Sequence, residues 1–337
     1  MAIRVLIVDD SPIMQRLLAA TIDGEDDLKI AGVARDPFEA RDMIKVLKPD
    51  VITLDVEMPR MDGITFLEKL MRLRPMPVVM VSSLTESDAG ITLRALELGA
   101  VDFVTKPKGN ARAGFAEFGV ELCEKLRASV SARLKRPHAI PPPPGAAPVS
   151  FQPLGLIAIG ASTGGTEALK EVLARLPSNS PPVVIVQHMP EMFTRMFAGS
   201  LNSICALKVT EAVNGESLLP GHAYIAPGNW HVSIKRVGRH LQFRTTQEDP
   251  VNRHRPSVDV LFHSVAGQVG QHAVGALLTG MGRDGADGMG ALKRAGAFTI
   301  AQDRDTCVVF GMPKVAIDAG HVTCVAPLED IAGHILN

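Results

Sequence analysis

The first 136 residues of this 337-residue chain contain no histidine, because all ten histidines lie at position 138 or later. The chain also has only four cysteines, with no Cys-x-x-Cys pair among them. Scattered cysteines exclude a cysteine-paired zinc site and a disulfide framework, and they favour a reducing, cytoplasmic location. Because general-base catalysis commonly uses histidine, we expect any histidine-dependent enzyme to lie in the C-terminal part.

The chain lacks an excess of either charge and lacks long apolar runs. Residues 1–136 carry 20 basic and 21 acidic side chains, and the remainder carries 15 of each. This balance gives no electrostatic attraction to nucleic acid, so we predict no nucleic-acid partner. No stretch approaches the roughly 18 apolar residues of a membrane span, and the apolar start is followed at once by two aspartates. We therefore predict neither a signal peptide nor membrane insertion.

Proline is concentrated in one segment, since seven of the 24 prolines lie at positions 137–153. Such a segment lacks backbone donors and favours the extended polyproline II conformation, which is typical of a semi-stiff linker. At roughly 150 residues per domain, the chain is long enough for about two domains. We predict a first domain at 1–136, a linker at 137–153 and a second domain at 154–337.

Both predicted domains alternate strand and helix patterns, which indicates α/β folds with parallel sheets wound on both faces. In the second domain, residues 205–245 differ, because short apolar runs there are separated by Asn-Gly and Pro-Gly turns and predict a small antiparallel insertion. The predicted strands are 3–8, 28–33, 51–54, 78–81 and 101–104 in the first domain and 156–159, 183–186, 273–278 and 298–301 in the second.

Polar side chains follow the strands of the first domain. Asp9 and Asp10 follow the first strand, Ser82 ends the fourth, and Asp55 and Lys106 follow the third and fifth. The carboxyl ends of parallel strands share one edge, so we expect these side chains to lie together. A single aspartate here is explained more simply as a helix cap, but capping does not explain the whole set. Three neighbouring carboxylates require a cation, and oxygen ligands favour Mg²⁺.

The first domain resembles the response-regulator receiver family over its whole length, in the segments VLIVDDSP, LDVEMPRMDG, VMVSS and VDFVTKP. The resemblance implies a flavodoxin-like fold in which Asp55 accepts a phosphoryl group from a histidine kinase. It assigns Asp9, Asp10 and Asp55 to Mg²⁺, Ser82 and Lys106 to the phosphoryl oxygens, and Phe103 to the aromatic switch position.

The second domain contains a possible nucleophile, base and orienting carboxylate after three different strands. Ser162 lies in the Gly-x-Ser-x-Gly segment at 160–164, between a predicted strand and helix, as in a nucleophile elbow. His188 follows the strand at 183–186, and Asp284 follows the strand at 273–278. Strand order would bring all three to one edge, as acyl transfer through serine requires. The order Ser, His, Asp differs from that of α/β-hydrolases.

The segment 280–285 also supports a second interpretation, because it reads Gly-x-Gly-x-x-Gly after a strand and Asp303 follows about 20 residues later. This pattern is typical of a dinucleotide site. However, Asp284 would then set a carboxylate against a pyrophosphate, which makes this the weaker interpretation. The same glycines suit an oxyanion hole in which the N–H of Met281 faces the developing negative charge.

The second domain resembles the catalytic domain of chemotaxis protein-glutamate methylesterases, in GASTGGTEAL, VQHMP, YIAPGNWH, HRPSVDVLF, LLTGMGRDGADG and GMPKVA. The resemblance implies a Rossmann-like sheet with a Ser162–His188–Asp284 triad, an oxyanion donor at Met281 and no cofactor. The implied substrate is a glutamate γ-methyl ester on the cytoplasmic helices of chemoreceptors, and many family members also deamidate receptor glutamine.

From these patterns we predict a phosphorylation-regulated, cytoplasmic, monomeric carboxylic ester hydrolase. Two other functions stay open at this point, namely a phosphorylation-dependent adaptor without catalysis and a nucleotide-dependent output enzyme. Among the remaining histidines, we expect His222 and His231 to lie at the surface. We expect His254 to lie in a solvated loop between two arginines.

Overall fold

The computed structural model describes residues 2–83, 86–107, 112–133 and 155–336. It divides into two compact units, Met1–His138 and Ala139–Asn337. The predicted linker at 137–153 lies outside the described residues. Within the described ranges, no helix has both the length and the apolar composition that crossing a membrane requires.

The N-terminal unit is built on a parallel sheet of five strands in the order β2-β1-β3-β4-β5. A helix follows each strand, so the predicted doubly wound, flavodoxin-like architecture is confirmed. The elements are β1 (Ile3–Val8), α1 (Pro12–Asp23), β2 (Leu28–Ala34), α2 (Pro37–Leu47), β3 (Val51–Asp55), α3 (Gly63–Leu73), β4 (Val78–Ser82), α4 (Glu86–Glu97), β5 (Asp102–Thr105) and α5 (Arg112–Val130).

The first three helices of this unit begin at short polar side chains. Ser11, Asp36 and Asp62 each accept hydrogen bonds from amides of the following first turn. Pro12 and Pro37 occupy early helical positions, where a missing N–H costs nothing. Strands β3 and β4 are buried along their whole length, as their uninterrupted apolar runs predict.

The C-terminal unit has a seven-stranded parallel sheet in the order β14-β13-β12-β6-β7-β9-β8 and a separate antiparallel hairpin of β10 and β11. This confirms the predicted Rossmann-like α/β architecture with a small antiparallel sheet. The elements are β6 (Leu156–Ala161), α6 (Gly165–Leu173), β7 (Val183–Gln187), α7 (Glu191–Asn202), β8 (Lys208–Glu211), β9 (His222–Ile225), β10 (His231–Val237), β11 (His240–Thr246), α8 (Val258–Gln268), β12 (Ala273–Leu277), α9 (Ala286–Arg294), β13 (Phe298–Gln302), α10 (Met312–Asp318), β14 (Cys324–Ala326) and α11 (Leu328–Leu336).

The predicted extent of the antiparallel insertion, 205–245, is wrong for its first half. Strands β8 and β9 lie within it, yet they pair parallel with each other, and β9 pairs parallel with β7. The turn signals at Asn214-Gly215 and Pro220-Gly221 mark where the chain bends, but a bend does not determine which strand becomes the partner. Only β10 and β11, at the end of this segment, form the expected hairpin.

Helix α8 is packed directly against the strand ends of the C-terminal unit. A Cβ atom on Gly160 would lie 2.3 Å from Cγ1 of Val258, the first residue of α8. A Cβ atom on Gly285 would lie 2.6 Å from the same atom, and Gly285 also has a positive φ of 86°. Both positions therefore require glycine. The amino terminus of α8 is thereby held between the ends of β6 and β12.

Candidate active site and acidic cluster

Ser162 lies in a tight turn between β6 and α6. Gly164 caps α6 with a positive φ of 77°, and a Cβ atom on Gly165 would lie 2.1 Å from Oε1 of Gln187. The turn therefore has the glycine-dependent geometry of a nucleophile elbow. Ser162 is half-buried, and the amino terminus of α6 follows it, so negative charge at this place is favoured.

The sheet places Ser162 beside the residues that follow the two neighbouring strands. Ala161 pairs with Gln187, and the N–H of His188 donates to the carbonyl of Ala161 at 3.2 Å. On the other side, the N–H of Ser162 donates to the carbonyl of Thr279 at 3.0 Å. The ends of β7, β6 and β12 thus meet at one edge, as the strand order predicts.

His188 and Asp284 form a buried pair at this edge. Nε2 of His188 lies 2.8 Å from Oδ2 of Asp284, which is 1% exposed. An ionised carboxylate accepts, so Nε2 carries the proton and Nδ1 has the free lone pair. Nδ1 is buried and has no hydrogen-bond partner among the described residues. It is therefore the nitrogen available to take a proton from a nucleophile.

The environment of Asp284 keeps it ionised. Burial by itself raises the pKa of a carboxyl, but hydrogen bonds from His188, Asn252 and Ser257 hold the pKa of Asp284 well below its usual range. Asp284 also lies at the amino terminus of α8, where the helix dipole favours an anion. Its donors are Nδ2 of Asn252 (2.8 Å), Oγ of Ser257 (2.7 Å), Nε2 of His188 (2.8 Å) and the amides of Val258 (2.7 Å) and Asp259 (3.3 Å).

The segment that leads into Met281 runs directly against Ser162. A Cβ atom on Gly280 would lie 2.8 Å from Cβ of Ser162 and 2.3 Å from Sδ of Met312. Gly280 is therefore the residue that allows this close approach. The predicted oxyanion donor, the N–H of Met281, follows at the next residue of the same turn.

The structure weakens the dinucleotide interpretation of the segment 280–285. Asp284 is turned inward onto His188 and α8 instead of facing a ligand space. Asp303, the acidic residue expected to bind a ribose, accepts from the amide and hydroxyl of Thr306 through its Oδ1 atom, at 2.9 and 2.5 Å. Both acidic residues are thus already bonded to other groups of the protein.

Sequence reasoning missed several residues at this edge. The ring of His254, which is half-buried in its loop, is stacked on that of His188 with centroids 3.6 Å apart and planes 13° apart, and no sequence pattern predicted this contact. His231 is not at the surface, because it is 2% exposed and its Nδ1 accepts from the N–H of Ser257 at 3.2 Å. The available signal was that the polar segment NRHRPS, residues 252–257, lies directly before α8. Nothing in the sequence near this segment indicates a contact with His188.

The N-terminal unit carries an acidic cluster at the carboxyl edge of its sheet. Carboxylate oxygens of Asp9, Asp10 and Asp55 lie within 4.8 Å of one another. Nζ of Lys106 lies 2.8 Å from Oδ2 of Asp55 and 3.4 Å from Oδ2 of Asp9. Burial raises the pKa of Asp55 to about 6, against the opposing effect of its bond to Lys106, and burial also raises the pKa of Asp9.

The composition of this cluster fits a hard divalent cation. It offers three carboxylates and no nitrogen or sulfur ligand, which is the donor set that such cations prefer. Oδ2 of Asp9 is buried and accepts no hydrogen bond from the described residues. Lys106 alone leaves the three carboxylates with a net negative charge that a cation would neutralise.

Ser82 and Phe103 lie in the neighbouring strands β4 and β5. Ser82 is fully buried, and its hydroxyl accepts from Oγ1 of Thr92 at 2.8 Å. Phe103 is 4% exposed, and Nζ of Lys125 lies 5.2 Å from its ring centre and 2.5 Å from its carbonyl oxygen. Ser82 is thus on the strand next to Asp55, and the ring of Phe103 is packed inside.

Together, the two units define a class of protein. One has a serine elbow beside a buried histidine–aspartate pair, the arrangement of serine hydrolases. The other has an acidic pocket with a paired lysine on a flavodoxin-like sheet, the arrangement of phosphoryl acceptors.

Comparisons with known proteins agree with this class. A family model described as CheB methylesterase matches residues 157–335, and one described as response regulator receiver domain matches residues 5–113. The protein-glutamate methylesterase/protein-glutamine glutaminase of Salmonella typhimurium is 55% identical over 336 residues, covering 99% of this chain and 96% of the relative. The protein of the same name from Paraburkholderia xenovorans is 54% identical over 346 residues, with coverages of 99% and 96%.

A solved structure is also similar to this chain. The crystal structure of the Thermotoga maritima CheB methylesterase catalytic domain matches with a TM-score of 0.53 and 40% identity, covering 56% of this chain and 98% of that one. This chain therefore belongs to the CheB methylesterase family and carries an N-terminal response regulator receiver domain.

Proposed function

We propose that this protein is a phosphorylation-regulated hydrolase that removes methyl groups from glutamate γ-methyl esters on the cytoplasmic helices of chemoreceptors. The observation that carries the proposal is the buried hydrogen bond between His188 and Asp284. His188 follows β7, which pairs with β6, the strand that leads into the Ser162 elbow. The names of the relatives supply the substrate class. A cytoplasmic location and a monomeric state complete the proposal.

The reaction is acyl transfer through serine. Ser162 attacks the ester carbonyl while Nδ1 of His188 takes the hydroxyl proton, and Asp284 orients the imidazole and stabilises its charged form. Backbone donors that include the N–H of Met281 hold the oxyanion. His188 then protonates the departing methoxide to give methanol. Water, deprotonated by the same histidine, cleaves the acyl-enzyme and restores the glutamate carboxylate.

The same site can act on a glutamine side chain. Ser162 forms the same glutamyl acyl-enzyme, but here His188 protonates the departing amide nitrogen, which leaves as ammonia. Amides are less reactive than esters because the nitrogen lone pair is delocalised, so proton donation by His188 matters more in this reaction. Deamidation of receptor glutamine is therefore part of the proposed activity, in line with the second half of the relatives' name.

Regulation would act through Asp55, which takes a phosphoryl group from a histidine kinase. Asp9, Asp10 and Asp55 would hold Mg²⁺, and the ion supplies positive charge that neutralises the transferred group. Lys106 would then exchange its bond with the free carboxylate for one with a phosphoryl oxygen, and the Ser82 hydroxyl would donate to another. Phe103 lies on β5, next to the strand of Ser82, and the packing of its ring would change when Asp55 is phosphorylated.

Methanol release from a methylated receptor, measured with and without a small-molecule phosphodonor, tests this function. We expect release that rises with the phosphodonor, and we expect Ser162→Ala to abolish release while Asp55 still takes up phosphate. Ser203→Ala is the matched control, because Ser203 is an exposed serine at the end of α7. Absence of methanol in both conditions, with Asp55 phosphorylated, would favour an adaptor without catalysis.

A further inference from the structure

The segment 251–254 is a closed two-residue turn beside the histidine–aspartate pair. The N–H of Val251 donates to the carbonyl of His254 at 3.1 Å, and the N–H of His254 donates back to the carbonyl of Val251 at 2.9 Å. The central residues Asn252 and Arg253 have positive φ angles of 52° and 66°. Two positive φ angles are typical of a type I′ turn, which fixes the directions of the side chains that it carries.

The first of these side chains connects two buried carboxylates. Nδ2 of Asn252 donates to Oδ1 of Asp284 at 2.8 Å and to Oδ2 of Asp259 at 2.7 Å. Both partners can only accept when ionised, so the amide nitrogen must face them. The two N–H bonds of one amide thus lie between two aspartates, and the amide holds both carboxylates in place.

The second side chain covers the face of the base. The imidazole of His254 lies nearly parallel to that of His188 at 3.6 Å. Asp284 holds the His188 ring at a single edge atom, Nε2. A ring held at one atom can still pivot about that hydrogen bond. A stacked ring restricts the pivot without using either nitrogen of His188.

The turn is itself anchored to neighbouring loops by Arg255. Nη1 of Arg255 donates to the carbonyls of Gln247 and Glu248, both at 3.0 Å, and Nη2 donates to Oδ1 of Asn229 at 2.7 Å. The N–H of Asn229 donates to the carbonyl of Arg255 at 3.0 Å. Next to its carboxyl end, the turn is therefore tied to two other places in the chain, residues 247–248 and Asn229.

We propose that Asn252 and His254 are positioning residues, and that the turn 251–254 keeps the His188–Asp284 pair in the orientation in which Nδ1 of His188 meets the hydroxyl of Ser162. The inference rests on the proposed function, in that Ser162 is the nucleophile. Neither residue forms or breaks a bond in the proposed reaction. Each acts through one member of the pair, Asn252 through Asp284 and His254 through His188.

The test compares three variants with a matched control in the full-length protein. His254→Ala removes the stacked ring, His254→Phe keeps a flat ring without nitrogen, and Asn252→Gly removes the amide while tolerating the positive φ. His240→Ala, at an exposed histidine of the β10–β11 hairpin, is the control. For each protein we would measure kcat and KM for methanol release, the rate at which a fluorophosphonate probe modifies Ser162, and the melting temperature.

We expect His254→Ala and Asn252→Gly each to lower kcat and the labelling rate by about tenfold with KM nearly unchanged, because small errors in orientation are costly. His254→Phe should recover most of the loss, and His240→Ala should stay within about twofold of the wild type. A merely structural role would lower the melting temperature of His254→Ala and His254→Phe alike and would show no such recovery.

Three results would overturn the proposal. Wild-type rates in both His254→Ala and Asn252→Gly would do so, and so would a rise in KM that phenylalanine does not correct, since that marks a substrate contact. If the wild-type protein does not react with the probe, Ser162 is not the nucleophile, and the proposal fails. If the wild type reacts with the probe but releases no methanol, the proposed substrate is wrong, while the order of labelling rates still decides the role of the turn.

Discussion

Asp55 and Asp284 are both buried aspartates at the carboxyl edge of a parallel sheet, yet their environments shift their pKa values in opposite directions. Asp55 is 4% exposed and its pKa is raised to about 6, whereas Asp284 is 1% exposed and its pKa is lowered. Burial favours the neutral acid at both positions. The difference must therefore come from the groups around each carboxylate.

Asp284 is surrounded by donors and Asp55 partly by acceptors. Five hydrogen bonds reach Asp284, three from side chains and two from the first amides of α8. Asp55 receives bonds from Lys106 and from the amide of Val56, both at 2.8 Å, but the negative charge of Asp9 opposes them. The charge of Asp284 is compensated within the protein. That of Asp55 is only partly compensated by Lys106 and the amide of Val56, and in the proposed function a cation would supply the remaining positive charge.

The strongest test of this contrast is Asp284→Asn. An asparagine has nearly the same shape but would favour the wrong tautomer of His188, so we expect a loss of about 10³- to 10⁴-fold in kcat for methanol release. Asp287→Asn is the matched control, because Asp287 lies exposed on α9 and pairs only with Arg283 among the described residues (3.1 Å). A loss below tenfold in Asp284→Asn would show that the charge of Asp284 is dispensable.

Asp55→Asn should affect regulation and not chemistry. The variant cannot form an acyl phosphate, so we expect the phosphodonor to give no stimulation, while methanol release without the phosphodonor stays close to that of the wild type. Both rates come from the same assay. Stimulation that survives in Asp55→Asn would move the phosphorylation site elsewhere.

The same substitution should stabilise the metal-free N-terminal unit. Because the folded-state pKa of Asp55 lies above its ordinary value, the folded state binds the proton more tightly, and stability falls as the pH rises from about 4 to about 6. We expect Asp55→Asn to raise the free energy of unfolding by on the order of 1–2 kcal/mol at pH 7.5, with a smaller gain at pH 4.5.

Hydrogen exchange of the buried amides of β1 and β3, in a chelator, measures this change. The single tryptophan and the single tyrosine, Trp230 and Tyr224, lie in the C-terminal unit, so their fluorescence does not report on the N-terminal one. Equal or faster exchange in Asp55→Asn at pH 7.5 would show that Lys106 already compensates the charge of Asp55.

The smallest effect is expected from Ser257→Ala. This removes one of the five donors to Asp284, the Ser257 hydroxyl at 2.7 Å, and leaves the other four. We expect a loss of about 1 kcal/mol in the free energy of unfolding and a rate loss of less than about tenfold. Urea unfolding followed by Trp230 fluorescence measures the first, and methanol release the second. A loss as large as that of Asp284→Asn would mean that the donors act as one unit.

Most of the architecture could be predicted because it is encoded locally. Short, mostly apolar runs predicted nine of the strands, and residues such as Ser11 and Asp36 at helix starts mark where the chain changes conformation. The candidate site residues Ser162, His188 and Asp284 could be selected because each follows a predicted strand, and parallel strands end at one edge. This reasoning located the edge, but it could not determine atomic contacts there.

The chain by itself therefore determined the alternation of strands and helices, the tight glycine turn at Ser162 and the polar residues that end each strand. Only the tertiary structure decided that β8 and β9 join the main sheet, that Asp284 is bonded by Nε2 of His188, and that His254 is stacked on that ring. The physical reason is the distance along the chain over which each kind of interaction acts. Backbone preferences and periodicity act within a few residues, whereas strand pairing and ring stacking depend on the packing of segments far apart in the chain.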